Sequence, residues 1–288
     1  LRERRMKLRL TKMYPNEDLH FARYLTETVG WNYSLSDFER LLYYEPEGCF
    51  VAKQNGEPVG IVTTTTYGKL AWVGSLIVLE HYRGKGVGSE LMKHAISYLK
   101  TKGVETIRLD AASKAIPLYK RLGFKEEYDS LRFIGAGREL ICRKVSKMEN
   151  EDLESVVHLD TRFFGANRER VLRRVYKDFQ DLCFVSFTDE KLTGYIMAKR
   201  GINEIKVGPW ICDPKHTEIA EELLKAILNE AKGMKIWVGI PSGNKKSVNI
   251  LKKHGFVDQP KSIRMYYGKL GYVGLINGVF GIGAPEKG

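Results

Sequence analysis

The sequence is poor in cysteine and has no long apolar run, and each absence removes a class of protein. The four cysteines in 288 residues (Cys49, Cys142, Cys183, Cys212) stand far apart with no C-x-x-C pair. Neither a disulfide framework nor a metal site is therefore expected. Cys49 and Cys183 each open an apolar Cys-Phe-Val strand pattern, the setting of a buried free thiol. No apolar stretch reaches the ~20 residues that a membrane span needs. Behind the opening Leu1-Arg2-Glu3-Arg4-Arg5 there is no apolar segment of the kind a secretory leader carries. A solvated tail and a cytoplasmic location are expected, with no membrane partner. Two common nucleotide-phosphate signatures are also missing. There is no G-x-x-x-x-G-K-[ST], and Gly84 and Gly86 are followed by Ser89 where G-x-G-x-x-G requires glycine.

Positive charge is in excess: 47 Lys and Arg against 35 Asp and Glu, a net charge of +12. That balance favours anionic partners, nucleic acid among them. The basic residues are scattered and match no nucleic-acid motif, so a small polyanionic ligand is the stronger reading and no nucleic acid is expected.

One stretch organises the chain. Ala71 to Val78 reads as a strand, Arg83-Gly84-Lys85-Gly86-Val87-Gly88-Ser89 as a glycine-rich turn. Leu91, Met92, Ala95, Ile96 and Leu99 then recur at helical spacing. A strand feeding such a turn and then a helix start is an anion cradle. Amides at the helix N-terminus lack internal partners, the macrodipole is positive there, and glycines let the backbone approach a phosphate. Arg83 and Lys85 add full charges.

Around this stretch the remaining elements follow in order. Met6 to Thr11 alternates like a first strand, and Asn16 is placed to cap a helix running to Gly30. Trp31-Asn32-Tyr33 then either lines a pocket or plugs the gap to a second helix, Ser34 to Tyr44. Cys49–Gln54 and Val59–Tyr67 are strands joined at Asn55-Gly56, a hairpin signal. Leu70 to Val78 follows, with Gly74 marking a bulge or a close backbone approach. Thr106 to Asp110 is a further strand, and Pro117 and Gly123 bracket a short helix.

Arg83, Gly86 and Gly88 form R-x-x-G-x-G, and Leu118-Tyr119-x-x-Leu122-Gly123-Phe124 follows further along. Together these motifs resemble those of the GNAT superfamily, the Gcn5-related N-acetyltransferases, which use acetyl-coenzyme A. The resemblance implies an α/β (α+β) fold, a mixed and mostly antiparallel sheet flanked by helices. It implies that Leu76, Ile77, Val78 and the loop Arg83, Gly84, Lys85, Gly86, Val87, Gly88, Ser89 hold the coenzyme, with the pantetheine arm entering near Gly74. One departure stands out: Ala112 occupies the place of an asparagine that many members carry, although Ala115 matches. Leu109-Asp110-Ala111 with the Pro-Leu-Tyr run resembles a bacterial and archaeal branch whose second, divergent domain is sometimes called YitH/HolE-type.

The second half of the chain repeats the first. Ile250 to Phe256 aligns with Leu118 to Phe124 at an offset of 250 − 118 = 132, and Leu91-Met92-Lys93 with Leu223-Leu224-Lys225 at the same offset. Cys49-Phe50-Val51 maps to Cys183-Phe184-Val185, and Gly60 to Gly194, at 183 − 49 = 134. Two residues are lost between the copies, expected in a hairpin. Two tandem GNAT-like domains, residues 1–140 and 141–288, follow. In the second copy Lys215, Glu218 and Ala220 replace Arg83, Gly86 and Gly88, and Leu251 replaces Tyr119. A carboxylate in the cradle repels a diphosphate. Asn244 keeps the family's asparagine without the loop, so this copy is expected to pack and to shape the acceptor site. Phe163-Phe164-Gly165-Ala166-Asn167-Arg168 resembles the second domain's own signature but reads as a solvated basic helix start. The glycine-rich tail from Gly268, with Tyr272, Leu275, Ile276, Val279 and Phe280, is expected to dock on its own domain.

The implied reaction is acetyl transfer from acetyl-coenzyme A to a primary amine on a small molecule or peptide. The Val78 amide would serve as oxyanion donor, and Tyr119 would face the departing thiolate. With reference pKa values of ~10 and ~8.5, full proton transfer from tyrosine to a thiolate is uphill by about 2 kcal/mol, so a hydrogen bond is the expected role. Asp110 is a candidate base or else an ion-paired structural carboxylate; Glu45 and Glu47 stand behind it. Trp31 and Trp72 are acceptor-side candidates. A non-catalytic acyl-coenzyme A sensor is the alternative. Nothing in the sequence speaks to the acceptor's identity or to oligomeric state.

Overall fold

The computed structural model describes residues 8–271 and 274–288. The first half runs β1 (Leu8–Lys12), α1 (Pro15–Thr28), α2 (Leu35–Tyr44), β2 (Phe50–Gln54), β3 (Glu57–Tyr67), β4 (Leu70–Val78), α3 (Val87–Thr101), β5 (Thr106–Ala111), α4 (Ile116–Arg121) and β6 (Lys125–Ala136). The second half repeats this order: β7 (Ser146–Lys147), α5 (Leu153–Phe164), α6 (Glu169–Asp178), β8 (Cys183–Thr188), β9 (Lys191–Arg200), β10 (Glu204–Cys212), α7 (Thr217–Glu230), β11 (Lys235–Pro241), α8 (Lys245–Lys253) and β12 (Val257–Gly268). A last strand, β13 (Val279–Gly281), lies in the tail. Met6, Lys7 and Tyr272 fall outside the described residues. Among the described residues no helix is long and apolar enough to cross a membrane.

Local chemistry sets most element ends. Asn55 and Gly56 both take positive φ, 54° and 95°, the turn whose twist suits a two-residue hairpin. Ser34 and Asp37 form a reciprocal capping box on α2. Asn16 is not a cap. Pro15 opens α1 behind Tyr14, whose amide donates to Asp18 at 2.9 Å, so the aspartate does the capping from inside the first turn.

The strands form one mixed sheet in the order β1-β2-β3-β4-β5-β12-β6-β11-β10-β9-β8-β7, with β13 beside β10. This order departs from the sequence division. β12, from the second half, pairs antiparallel with β5 of the first. β6, from the first half, lies between β12 and β11 and pairs with both. Each half therefore gives its last strand to the other, and residues 1–140 and 141–288 are not separate bodies. The exchange is open to a duplicated chain because the strands are equivalent: Lys125 of β6 maps onto Val257 of β12 at 257 − 125 = 132.

Three cores hold the sheet. α3 covers the outer face of the first half and α7 that of the second. The third core is shared, with α1, α2, α5 and α6 packed together on β2–β4 and β8–β10. The two-residue loss between copies is not in a hairpin. The offset is still 212 − 78 = 134 where β4 and β10 end and is 132 at Leu91 and Leu223, so the two residues are lost between strand and helix, and α7 also starts two positions early. The second copy has shortened the glycine-rich turn.

Candidate active site

β4 loses a neighbour part of the way along. It pairs in parallel with β5 only at Leu70↔Thr106, Ala71↔Ile107 and Trp72↔Arg108. From Val73 to Val78 it keeps β3 alone, so its other edge is open. Within that segment Ile61 pairs with Ile77 but Thr63 with Gly74, which inserts one extra residue into β4. Ser75 takes φ +49° there. Gly74 therefore adjoins a bulge, and it is also a point of close approach. A Cβ built on it would lie 2.5 to 2.6 Å from Glu286 of the chain's own tail.

The loop after β4 has the features expected of an anion cradle. Gly86 caps α3 in the left-handed conformation, and a Cβ at Gly84 or Gly86 would meet nothing within 4 Å. The amides of Val87, Gly88 and Ser89 have no hydrogen-bond partner among the described residues; the first internal bond is Glu90 to the Gly86 carbonyl at 3.0 Å. Arg83 Nε donates to the Val78 carbonyl at 2.9 Å, tethering a guanidinium at the strand end, and Lys85 is exposed over the Tyr82 ring. Free donors, the positive helix end and open space coincide.

α4 lies against this loop: a Cβ on Gly88 would sit 3.7 Å from both Leu118 and Val78. Tyr119 follows Leu118, with its ring edge-on to Phe124 at 5.8 Å and its hydroxyl bonded to no other described residue. Burial lifts its pKa well above the usual tyrosine range, so the group is a hydrogen-bond donor and not a base.

The carboxylates expected as bases are engaged elsewhere. The Asp110 side chain is 0% exposed and bonds Arg132 at 2.8 Å, Arg264, and Ser130 at 3.1 Å. Burial alone would raise its pKa, but Arg264 and Arg132 outweigh that and hold it below the usual carboxylate range. A carboxylate clamped by two guanidinium groups is a poor proton acceptor; Asp110 ties β5 to the exchanged strands. Arg108 does the same through Glu127, at 2.8 Å. Glu45 accepts from Tyr98 Oη at 2.6 Å and from the Thr66 amide, and Glu47 pairs with Lys12. Among the described residues no cluster of His, Cys, Asp or Glu is suited to a metal ion.

The two tryptophans are not brought together. Trp31 is 40% exposed at the α1–α2 connection, while Trp72 is buried and stacked on Phe164 at 5.5 Å. Tyr33, from the same tripeptide as Trp31, points inward and donates to Glu286 at 2.9 Å.

The second half closes the corresponding opening with its own chain. β10 and β11 pair only as far as Val207↔Val238. β13 enters beside β10, and the Ile282 amide donates to the Gly239 carbonyl at 2.8 Å. Asn244, the asparagine retained from the family pattern, donates to the Val279 carbonyl at 2.9 Å, and Ser247 Oγ to that of Phe280 at 2.6 Å. These two side chains thus hold the tail. Glu218 stands in the first turn of α7, where no glycine loop precedes it.

Sequence reasoning misplaced one residue and missed others. Arg168 is not on a solvated face: it is 3% exposed, grips Asp160 at 2.7 and 2.8 Å, and donates to the Gly288 carbonyl at 2.8 Å. Lys199 and Tyr33 gather with it around the tail, which has no periodic pattern to reveal where it ends. The segment Phe163 to Arg168 was the available signal.

Comparisons with known proteins agree with this geometry. Residues 16–124 match the Acetyltransferase (GNAT) family, and residues 156–274 match an Acetyltransferase (GNAT) domain. The chain is 25% identical over 243 residues to the holothin acyltransferase of Pseudoalteromonas sp. (strain SANK 73390), across 83% of this chain and 81% of that protein. A putative acetyltransferase from Pyrococcus horikoshii has a TM-score of 0.82 at 26% identity, over 98% of this chain and 96% of its own. The tandem GNAT protein from the clavulanic acid biosynthesis pathway shares the fold, with a TM-score of 0.66 at 13% identity over 91% of this chain and 98% of its own. Such proteins generally use acetyl-coenzyme A. With one matched domain in each half and the family's strand, loop and helix order repeated twice, this chain belongs to the GNAT superfamily as a tandem member and is an acyltransferase.

Proposed function

We propose that the first half alone binds acetyl-coenzyme A and transfers its acetyl group to a primary amine, while the second half shapes the acceptor side. The observation that carries this reading is the asymmetry between the copies. The first keeps unpartnered amides at Val87, Gly88 and Ser89 beside an open β4 edge; the second has a shortened loop, Glu218, and a slot filled by β13.

The residues fit the coenzyme. Val87, Gly88 and Ser89 would donate to its diphosphate, with Gly84 and Gly86 admitting it and Arg83 and Lys85 neutralising it. Leu76, Ile77 and Val78 would line the pantetheine arm along the open edge. The bound coenzyme supplies the activated acyl thioester. The chain's own contribution is to hold the two reactants together, to offer the Val78 amide to the carbonyl oxygen, and to present the Tyr119 hydroxyl to the leaving sulfur. Because burial keeps that hydroxyl protonated, it stabilises the thiolate by donating a hydrogen bond. Asp110 and Glu127 are held by arginines, so the amine loses its proton to another acceptor or to water.

The test is Gly86→Asp. Calorimetry should register no acetyl-coenzyme A binding, while the protein stays folded and loses no more than the ~1–2 kcal/mol that a left-handed non-glycine residue costs. Binding retained in the folded variant would refute the site.

A further inference from the structure

Residues 284–288 lie over the strand face beside the open edge of β4. Thr63 lies opposite Gly74 and Thr65 opposite Trp72, so all four share one face of the β3–β4 pair. Glu286 covers Gly74 on that face, and a Cβ on Gly288 would sit 2.9 Å from the Trp72 ring. Beneath this cover, Thr63 Oγ1, Thr65 Oγ1 and Trp72 Nε1 are buried with no hydrogen-bond partner among the described residues, and Ser75 Oγ at the bulge is another such atom. Their residues are at most 4% exposed. Buried polar groups are normally satisfied, and three orphans on the covered face, with a fourth at the bulge, fit a ligand more polar than the segment now lying there.

That segment is fastened by side chains and not by a strand ladder. Residues 284–288 close a turn on themselves: the Gly288 amide donates to the Ala284 carbonyl at 2.8 Å, and the Ala284 amide to the Gly288 carbonyl at 3.2 Å. Outside the turn it is held by Tyr67 Oη on the Lys287 carbonyl at 2.7 Å, Arg168 on the Gly288 carbonyl, and the Glu286 side chain. It can leave without breaking a strand ladder. A cavity of about 130 Å³ lined by Tyr44, Thr65, Tyr67 and Arg168 adjoins it.

The Glu286 carboxylate shows what the place recognises. It accepts from Tyr33 Oη at 2.9 Å, lies 4.0 Å from Lys199 Nζ, and pairs with Lys287 next to it in the chain. Lys199, on β9 and 6% exposed, belongs to the scaffold and stays when the tail leaves. With the tail gone its ammonium would lose Glu286 and keep the field of Asp37, a carboxylate already paired with Arg40. Burial, then the neighbouring Lys287, already lower its pKa to about 7, with Glu286 opposing. Glu286 and Lys287 together present a carboxylate beside a primary amine.

We propose that residues 284–288 are an intramolecular stand-in for the acceptor, and that the acceptor displacing them is a primary amine bearing a carboxylate, which takes the place of Glu286 beside Lys199 and Tyr33. This rests on the reading of the first half as the acetyl-transfer site.

The experiment measures thiol release from acetyl-coenzyme A with amines matched in pairs, 6-aminohexanoate against hexylamine and lysine against 1,5-diaminopentane. The carboxylated member should be the better substrate. Glu286→Gln should lower its KM about tenfold at unchanged kcat, because an occluded state held at roughly nine-tenths costs that factor in apparent affinity. Lys199→Met should erase the difference within pairs, and Lys199→Arg should keep it. Hydrogen exchange of the wild-type chain needs no variant to fold: the peptide covering 283–288 should exchange faster with 6-aminohexanoate and not with hexylamine. Equal rates within each pair, or exchange that ignores both amines, would overturn the proposal while leaving acetyl transfer intact. Failure of the wild-type chain to bind acetyl-coenzyme A in calorimetry would instead remove the underlying reading, and this one with it.

Discussion

Tyr119 and Asp110 lie only nine positions apart, yet their surroundings send them to different work. Tyr119 is buried among apolar side chains with its hydroxyl bonded to no other described residue, and that burial raises its pKa and keeps it a donor. Tyr119→Phe should therefore lower kcat by about tenfold or more while coenzyme affinity stays within about threefold, measured by steady-state kinetics and calorimetry. Unchanged turnover would assign the residue to packing alone. Glu286 titrates in the opposite sense. Burial would raise its pKa, but Lys287 and Lys199 bring it down from 4.5 to about 2. Between those values the unfolded chain holds more protons than the folded one. The stabilisation is then complete above about pH 4.5 and is lost as pH falls toward 2. Asp110 shares that direction. Thermal melts at descending pH should show this loss, and Glu286→Gln should make it shallower; parallel curves would contradict the assignment.

At the scale of elements, the junction of β5, β12 and β6 depends on ions buried inside a sheet. Asp110 meets Arg264 from β12 and Arg132 from β6, and Arg132 reaches Ser262 at 2.9 Å as well. Arg108 reaches across β12 to Glu127. A buried pair adds little net stability over apolar packing, but breaking one leaves a charge uncompensated. Asp110→Asn should accordingly cost about 3–5 kcal/mol in denaturant unfolding. A catalytic base would have produced the reverse pattern, with normal stability and lost turnover. Helix starts follow the same local logic. Ser34 caps α2 as its sequence implies, whereas at α1 the proline pre-set the first turn and moved the cap from Asn16 to Asp18.

At the scale of the whole molecule, the exchange of β6 and β12 makes each half incomplete. Residues 1–140 expressed alone should aggregate or stay unfolded, since α1 and α2 would lose the α5–α6 side of the shared core while β5 and β6 lose their β12 and β11 partners. Co-expression with residues 141–288 should restore a soluble complex with native circular dichroism. A monomeric, cooperatively folding 1–140 fragment would show that the exchange is dispensable. The shared core of α1, α2, α5 and α6 points the same way, because apolar residues of both halves bury one another there. The tail closes the arrangement by running from the slot of the second half to the β3–β4 face of the first.

What the sequence determined by itself was everything that depends on near neighbours in the chain. The hairpin at Asn55-Gly56, the glycine-relieved turn before α3, the short helix behind Pro117 and the duplication are legible because turn chemistry and side-chain periodicity act over a few residues. It also marked which copy kept the glycine-rich turn, since replacing Gly86 with Glu218 changes local charge. Only the tertiary structure decided which copy's last strand pairs with which sheet, because β6 and β12 carry equivalent patterns and either partner satisfies them. It alone decided that Asp110 is spent on arginines from distant strands, that Arg168 is buried, and that Glu286 lies on Gly74. Those outcomes depend on contacts between residues far apart in sequence, which composition and spacing do not encode.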